Sequence, residues 1–248
     1  MESIKRSNRF LSLDMKQSIV WFWGIMLLIN IISYTIMSVY GLTFFGISGQ
    51  ISIGTTTNLT MITVAAANLM PIVIYFTAYS YEMYYQSFPV ALAFSITRKE
   101  FYKSLIIRNI STALIFALIQ SALMKLDIYI VNKLGATAHI DFGIFNTSLD
   151  NIIYIMLSLF VAFLAFTSIS NLLAALNYRF GFKLWIGIGL VFSLSTVFIG
   201  ASFWNLFNEL FTTRINTLQL VILGVIMIVC YSIGYIIVTN TNIKNKVS

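Results

Sequence analysis

The sequence predicts an all-α integral membrane protein with six transmembrane helices. The 248 residues are 59% hydrophobic, only 9% are charged, and the mean hydropathy is +0.89. Soluble domains carry about 25% charged residues, so this chain lacks the polar side chains needed to cover a surface that faces water. We therefore expect lipid to surround most of the chain.

Six apolar runs are each long enough to cross about 30 Å of hydrocarbon as a helix. Five spans are the alternative, if one run is re-entrant. No linker or repeat divides the chain, so we predict a single transmembrane domain over residues 1–248. The predicted spans are 18–39, 60–79, 104–124, 151–176, 184–204 and 217–238.

The basic residues predict which way the spans face. With the N-terminus inside, twelve Lys and Arg side chains lie on the cytoplasmic side and three lie outside, as the positive-inside rule expects. Both termini are then cytoplasmic, and membrane flanks rather than nucleic acid account for the net charge of +7. The inside set is Lys5, Arg6, Arg9, Lys16, Arg98, Lys99, Lys103, Arg108, Arg179, Lys183, Lys244 and Lys246; the outside set is Lys125, Lys133 and Arg214.

The N-terminal residues 3–17 mix basic and apolar side chains. This pattern suits a short helix in the inner headgroup region before the chain turns inward, and a solvated tail is the alternative.

Groups that could perform chemistry are scarce. The six spans carry no carboxylate, the single histidine, His139, falls in an outside loop, and no residues have metal-ligand spacing. No G-x-x-x-x-G-K-[ST] phosphate loop occurs. We therefore predict no catalytic, metal or cofactor site on this chain, and neither a membrane enzyme nor an ion-coupled carrier is favoured.

Three residues within the spans are candidates for gating or for a substrate path. Pro71 removes the hydrogen bond to the Ala67 carbonyl and is expected to bend the second span. Asn68, one turn away, could bond across to a neighbouring helix, and a kink with a packing asparagine is the alternative. Arg108 lies one turn into the third span, where it either snorkels to the interface or contacts substrate.

Residues 87–106, SFPVALAFSITRKEFYKSLI, carry an unusual group of helix signals. Thr97 and Glu100 have the spacing of a capping box that starts the third helix. Pro89 suits the first turn of a separate short helix over 89–95, with a tight corner at Ile96. So short a helix needs a surface to pack on, either lipid headgroups or a cytosolic protein. The tyrosines of the preceding YSYEMYYQSF are alternatively an aromatic belt.

The short helix and the TRKEFYKSLI segment, between the second and third spans, resemble the intracellular coupling element of bacterial ABC-exporter permeases. The small permeases of antimicrobial-peptide, lantibiotic and phenol-soluble-modulin exporters are the most similar branch. Span count, length and topology extend the resemblance to the whole chain, and at residue level it rests on Ser95–Leu105. The coupling residues implied by the resemblance are Pro89, Leu92, Phe94, Thr97, Arg98, Lys99 and Glu100.

The resemblance implies a multi-pass permease of the bacterial plasma membrane. Such a permease pairs with a second copy, identical or related, and with cytosolic ABC ATPase subunits that bind ATP and Mg. A lumen nearly free of charge favours an amphipathic or apolar cargo, such as antimicrobial or cytolytic peptides. The alternative is a non-catalytic immunity or sensor-associated membrane subunit that holds a signalling partner.

Overall fold

The computed structural model describes residues 2–40, 46–53, 57–198, 200 and 217–241. These residues are mostly helical, which confirms the helical fold class. The elements are α1 (Glu2–Tyr40), β1 (Ile47–Ile53), β2 (Thr57–Thr63), a 3-10 helix (Ala65–Asn68), α2 (Leu69–Glu82), a π-helix (Met83–Ser87), α3 (Phe88–Ala93), α4 (Arg98–Lys133), β3 (Thr137–Ala138), α5 (Ile152–Phe180), α6 (Lys183–Phe198) and α7 (Thr217–Thr239).

Four helices in the described part of the chain are long and apolar enough to cross a membrane. They are Met15–Tyr40, Arg98–Lys133, Ile152–Phe180 and Gln219–Thr239. They correspond to four of the predicted spans and support a membrane protein. Of the predicted span 184–204, α6 covers the part up to Phe198, and residues 199 and 201–204 lie outside the described ranges. The number six stays a prediction.

The prediction of one helix over 60–79 is wrong, because the chain is extended up to Thr63. β1 and β2 form an antiparallel hairpin in which Ile47 pairs with Thr63 and Ile53 with Thr57. β2 also pairs in parallel with β3, and the His139 N–H donates to the Ile62 carbonyl at 2.9 Å. Helix starts only at Ala65, so the first residues of the predicted second span are part of the sheet.

The turn expected after residue 17 is also wrong. α1 is one continuous helix from Glu2 to Tyr40, so no turn separates residues 3–17 from the first span.

The described residues group into two compact units. The first, here called the hairpin unit, comprises Leu13–Ile74 and Leu114–Phe160. The second, here called the corner unit, comprises the start of α1, Tyr75–Ala113 and the described residues from Val161 onward. A single domain over the whole chain stays a prediction.

In the hairpin unit, α1 buries a narrow stripe with alternating spacings of four and three residues, as helix periodicity requires for one face. Its buried members are Ile19, Trp23, Met26, Asn30, Ser33 and Met37.

This stripe packs on α4 with the two helices parallel. The ring centroids of Trp23 and Phe116 are 5.3 Å apart, and further along Met37 packs with Val131. Because residue numbers rise together along both helices, the parts of α1 and α4 that lie in the hairpin unit run in the same direction. Two helices that run in one direction are what the first and third spans of the predicted topology require.

Candidate functional site

The candidate site is the corner between α3 and α4, in the corner unit. Ser95 has φ of +60° and reverses the chain. Its N–H donates to the Leu92 carbonyl, and the Ile96 N–H donates to the Ala91 carbonyl, each at 3.1 Å. This pair of bonds is the Schellman arrangement, with Ser95 at the position that glycine usually occupies. The predicted corner is therefore confirmed, one residue earlier than expected.

The capping box is also confirmed. The Glu100 N–H donates to the Thr97 hydroxyl oxygen at 3.3 Å, and the Thr97 N–H donates to the Glu100 carboxylate at 3.2 Å. These reciprocal bonds satisfy two N–H groups that the first turn of α4 cannot bond internally. Thr97 and Glu100 therefore hold the corner together.

The corner has one buried face and one exposed face. Phe88, Ala91 and Ile96 are buried, which fixes the corner to the unit. On the other face Phe94 is 62% exposed and Val90 44% exposed. Among the predicted coupling residues, Pro89, Leu92, Arg98 and Glu100 are half-buried, whereas Phe94, Thr97 and Lys99 are exposed.

Arg98 differs from its neighbour Lys99 in having a bond within the chain. The Arg98 guanidinium donates to the Thr239 carbonyl oxygen at 3.1 Å, at the last residue of α7. Carbonyls in the last turn of a helix lack internal donors and form the negative end of its dipole, so a cation is stabilising there. Arg98 thus caps α7, and Lys99 is the basic side chain that the corner exposes.

The short helix expected at 89–95 is present as α3 (Phe88–Ala93), with Pro89 in its first turn as predicted, but it is not separate, because it continues from α2 through the π-helix. The Phe88 N–H donates to the Met83 carbonyl, five residues earlier. Pro89 supplies no N–H, and the wider π turn just before it is one way for a helix to continue past a missing donor. The corner is consequently the end of a helical stretch that begins at Ala65.

Aromatic side chains form the support behind the corner. The ring centroid of Phe88 is 5.1 Å from that of Phe101 and 5.7 Å from that of Tyr178. Tyr84 is fully buried one turn before Phe88, and Tyr79 is buried as well, so these two tyrosines do not form the aromatic belt considered from the sequence. Tyr85, by contrast, is 39% exposed.

A chain of buried hydrogen bonds continues from Tyr84 into the unit. The Tyr84 hydroxyl donates to the Asn171 side-chain oxygen at 2.8 Å, and the Asn171 amide donates to the Tyr102 hydroxyl at 3.2 Å. Tyr102 in turn donates to the Tyr231 carbonyl at 2.9 Å. Burial raises the pKa of Tyr84 well above its ordinary value, so this hydroxyl remains a donor. The network joins the helical stretch before the corner to α4, α5 and α7.

Sequence analysis missed this network. Asn171 is a polar residue within a predicted apolar span, and Tyr102 and Asn109 on α4 are seven residues apart, on one helix face. That spacing could have indicated a shared partner for the two side chains. Tyr231 is that partner, because the Asn109 amide also donates to the Tyr231 hydroxyl, at 3.3 Å.

The three candidate gating residues lie in different surroundings. Asn68 is fully buried, and neither of its side-chain polar atoms has a hydrogen-bond partner in the described part of the chain, so the predicted bond to a neighbouring helix is wrong. Pro71 is the third residue of α2, so the N–H that it lacks falls where the 3-10 helix passes into α2. Arg108 is 5% exposed, so its side chain is inside the corner unit instead of extending toward headgroups.

Asp127 lies three residues beyond the predicted third span, 104–124, and was not predicted as a site residue. It lies in α4, is 2% exposed, and accepts hydrogen bonds from the Tyr34 hydroxyl and, at 2.6 Å, from the Thr63 hydroxyl. It also accepts from the N–H groups of Val64 and Ala65, at the start of the 3-10 helix. The apolar residues around Asp127 continue the helical period of the third span and could have indicated that the helix extends this far.

Among the described residues, no group of three or more His, Cys, Asp or Glu side chains could hold a metal ion. Comparison of the chain with protein-family models, with curated proteins and with solved structures gives no match.

Proposed function

We propose that this chain is the membrane permease subunit of an ATP-driven exporter, with the corner at 88–100 as the place where a cytosolic ATPase subunit docks. The observation that carries the proposal is the two-sided corner: Phe94 and Lys99 face outward, while Phe88 and Ile96 are buried behind them. An exposed aromatic and an exposed cation within five residues of each other are suited to a groove on a protein partner.

The rigidity of the corner supports a mechanical role. Its turn, its capping box and its aromatic support fix the exposed residues relative to α4 and to the helical stretch before them. A force applied to the corner is consequently passed to those helices instead of being absorbed by a flexible loop. The parallel packing of α1 and α4 supports the proposed topology, in which the first and third spans start in the cytoplasm.

The remaining parts of the proposal extend it to the membrane, the oligomer and the cargo. The permease crosses the bacterial plasma membrane six times, acts as a dimer with a second permease copy, and exports an amphipathic or apolar cargo such as antimicrobial or cytolytic peptides. ATP and Mg are bound by the partner ATPase. These statements rest on the resemblance of the corner segment to exporter coupling elements and on the low charge of the spans.

The test is purification of the tagged chain from its native membrane in mild detergent, with mass spectrometry and an ATPase assay of the eluate. We expect a stoichiometric partner that hydrolyses ATP. A chain that elutes alone, or with a kinase or receptor, would overturn the exporter and favour the immunity or sensor-associated subunit.

Paired variants locate the docking surface. Phe94→Ser with Lys99→Glu should release the ATPase, whereas Phe182→Ser with Lys183→Glu should retain it. The control pair makes the same chemical changes at another exposed aromatic and cation, since Phe182 is 78% exposed. Equal release by both pairs would show that docking is not confined to the corner.

A further inference from the structure

An open cavity lies in the hairpin unit, between the last turns of α4 and the segment before α5. Its volume is about 630 Å³, and it is lined by Lys125, Ile128, Tyr129, Asn132, Lys133, Thr147 and Ser148. The four residues from Lys125 to Asn132 have the spacing of one helix face, so α4 presents them together. No carboxylate lines the cavity.

We propose that this cavity binds the phosphate of an anionic phospholipid headgroup. Neither Lys125 nor Lys133 has an ion-pair partner among the residues that the structure describes, so both ammonium groups are available to a ligand. Tyr129 and Asn132 add a hydroxyl and an amide donor. Two cations with neutral donors between them match the charge and the several acceptor oxygens of a phosphate.

The opposite wall of the cavity is fixed before a ligand arrives. The Thr147 hydroxyl donates to the Ile140 carbonyl at 3.0 Å, and the Ser148 hydroxyl donates to the Asn146 side-chain oxygen at 2.7 Å. The Thr147 and Ser148 hydroxyls already donate hydrogen bonds within the protein, so the groups that could donate to a bound anion are the side chains of α4. Thr147 and Ser148 therefore form a fixed wall of the cavity and do not donate hydrogen bonds to the ligand.

The charge distribution of the whole chain makes this cavity unusual. Under the proposed topology only three basic residues lie outside, and two of them, Lys125 and Lys133, line one cavity. Basic residues are depleted on the outer side of membrane proteins, so two lysines that line the same cavity there call for a local explanation. A bound anion supplies that reason.

Apolar neighbours favour a lipid over a free anion. Leu149 directly follows Ser148 and is 78% exposed, and Ile153 in the first turn of α5 is 57% exposed. A phospholipid presents acyl chains beside its phosphate, so it covers apolar side chains and neutralises lysines in one binding event. A soluble phosphate leaves the apolar side chains uncovered.

The test measures lipid retention by the purified full-length chain in detergent, using native mass spectrometry. Phosphatidylglycerol should be retained in preference to phosphatidylcholine. Each of Lys125→Gln and Lys133→Gln should weaken retention about fivefold, and the double variant about thirtyfold, from a contribution of about 1 kcal/mol for each lysine near a lipid surface. Lys133→Arg keeps the charge and should retain the lipid.

The matched control is the double variant Lys99→Gln with Lys103→Gln, which removes the same charge from the other end of α4. An equal loss of phosphatidylglycerol from this control would show that retention follows net charge and would overturn the proposal. Unchanged retention by the cavity double variant would overturn it as well. Competition by inorganic phosphate as effective as that by phosphatidylglycerol would reassign the cavity to a free anion. These outcomes do not depend on whether an ATPase partner is found.

Discussion

Gly234 on α7 lies against Tyr102 on α4, and a methyl group added there should damage the corner unit. A Cβ at Gly234 would overlap the Tyr102 hydroxyl oxygen and lie 3.2 Å from the ring carbon that bears it. Favourable contacts between carbon atoms are about 3.5–4.0 Å. Tyr102 is fully buried, and its hydroxyl is bonded to Asn171 and to the Tyr231 carbonyl, so the ring cannot withdraw without breaking those bonds.

The expected magnitude combines three contributions. Overpacking costs about 1–3 kcal/mol, and each hydrogen bond lost from the hydroxyl costs about 0.5–1.5 kcal/mol. Alanine in a helix interior gains about 1 kcal/mol over glycine. Gly234→Ala should therefore lower the free energy of unfolding by about 2 kcal/mol. On the same helix, nothing lies within 4 Å of a Cβ added at Gly224, so Gly224→Ala should leave stability unchanged or raise it by up to about 1 kcal/mol.

The assay is unfolding of the purified protein in mixed micelles by a denaturing detergent, followed by circular dichroism. A third variant, Tyr102→Phe, removes the overlapping oxygen atom. In that background Gly234→Ala should cost at least about 1 kcal/mol less than in the natural sequence, which a double-mutant cycle measures as coupling. Equal effects of Gly234→Ala and Gly224→Ala would refute the reasoning.

Three further predictions concern Ser95 in the corner, Asn68 in the 3-10 helix and Asp127 in α4, and the same unfolding assay checks them. Ser95→Gly should raise the free energy of unfolding by about 1 kcal/mol, because a left-handed backbone is unfavourable for a residue with a Cβ; an unchanged value would contradict this role of the turn. Asn68→Leu should be neutral or stabilising, because both polar atoms are buried without a partner, and a loss above about 1 kcal/mol would contradict it. Asp127→Asn should lower stability by about 1–3 kcal/mol, because an amide keeps one acceptor oxygen and turns its NH₂ group toward either the Thr63 hydroxyl or the donors on the other side of the carboxylate; a loss below about 1 kcal/mol would show that these bonds contribute little.

The corner was predictable because its signals are local. Thr97 and Glu100 are three residues apart, and a capping box needs no contact beyond those residues. The apolar runs that became α1, α4, α5 and α7 are likewise readable from composition and length. The contact of Arg98 could not be predicted in this way, since nothing near it in the sequence indicates that its guanidinium caps α7.

The hairpin and the end of α4 were harder to predict, for different reasons. The segment Ile47–Ile53, ISGQISI, alternates apolar and polar residues and follows a strand period, but its pairing with β2 depends on a partner beyond the turn. Hydropathy alone placed the start of the second span at residue 60, because Leu59, Met61 and Ile62 are as apolar as helix residues. The predicted third span ends at residue 124, before Asp127, although burial beside four donors makes a carboxylate acceptable inside a fold.

The network behind the corner determines how a displacement of the corner would propagate. Tyr84 lies in the π-helix, one turn before Phe88, and its hydroxyl bonds Asn171 of α5 in a fully buried position. If the corner moved and α5 stayed in place, this bond would break and leave two buried polar groups unpaired, at a cost of about 1–3 kcal/mol for each. Joint motion of the corner and α5 avoids that cost. In the proposed exporter a push on Phe94 therefore reaches α5 through a hydrogen bond as well as through packing, and loss of the Tyr84 hydroxyl should weaken this coupling without exposing or removing the docking surface.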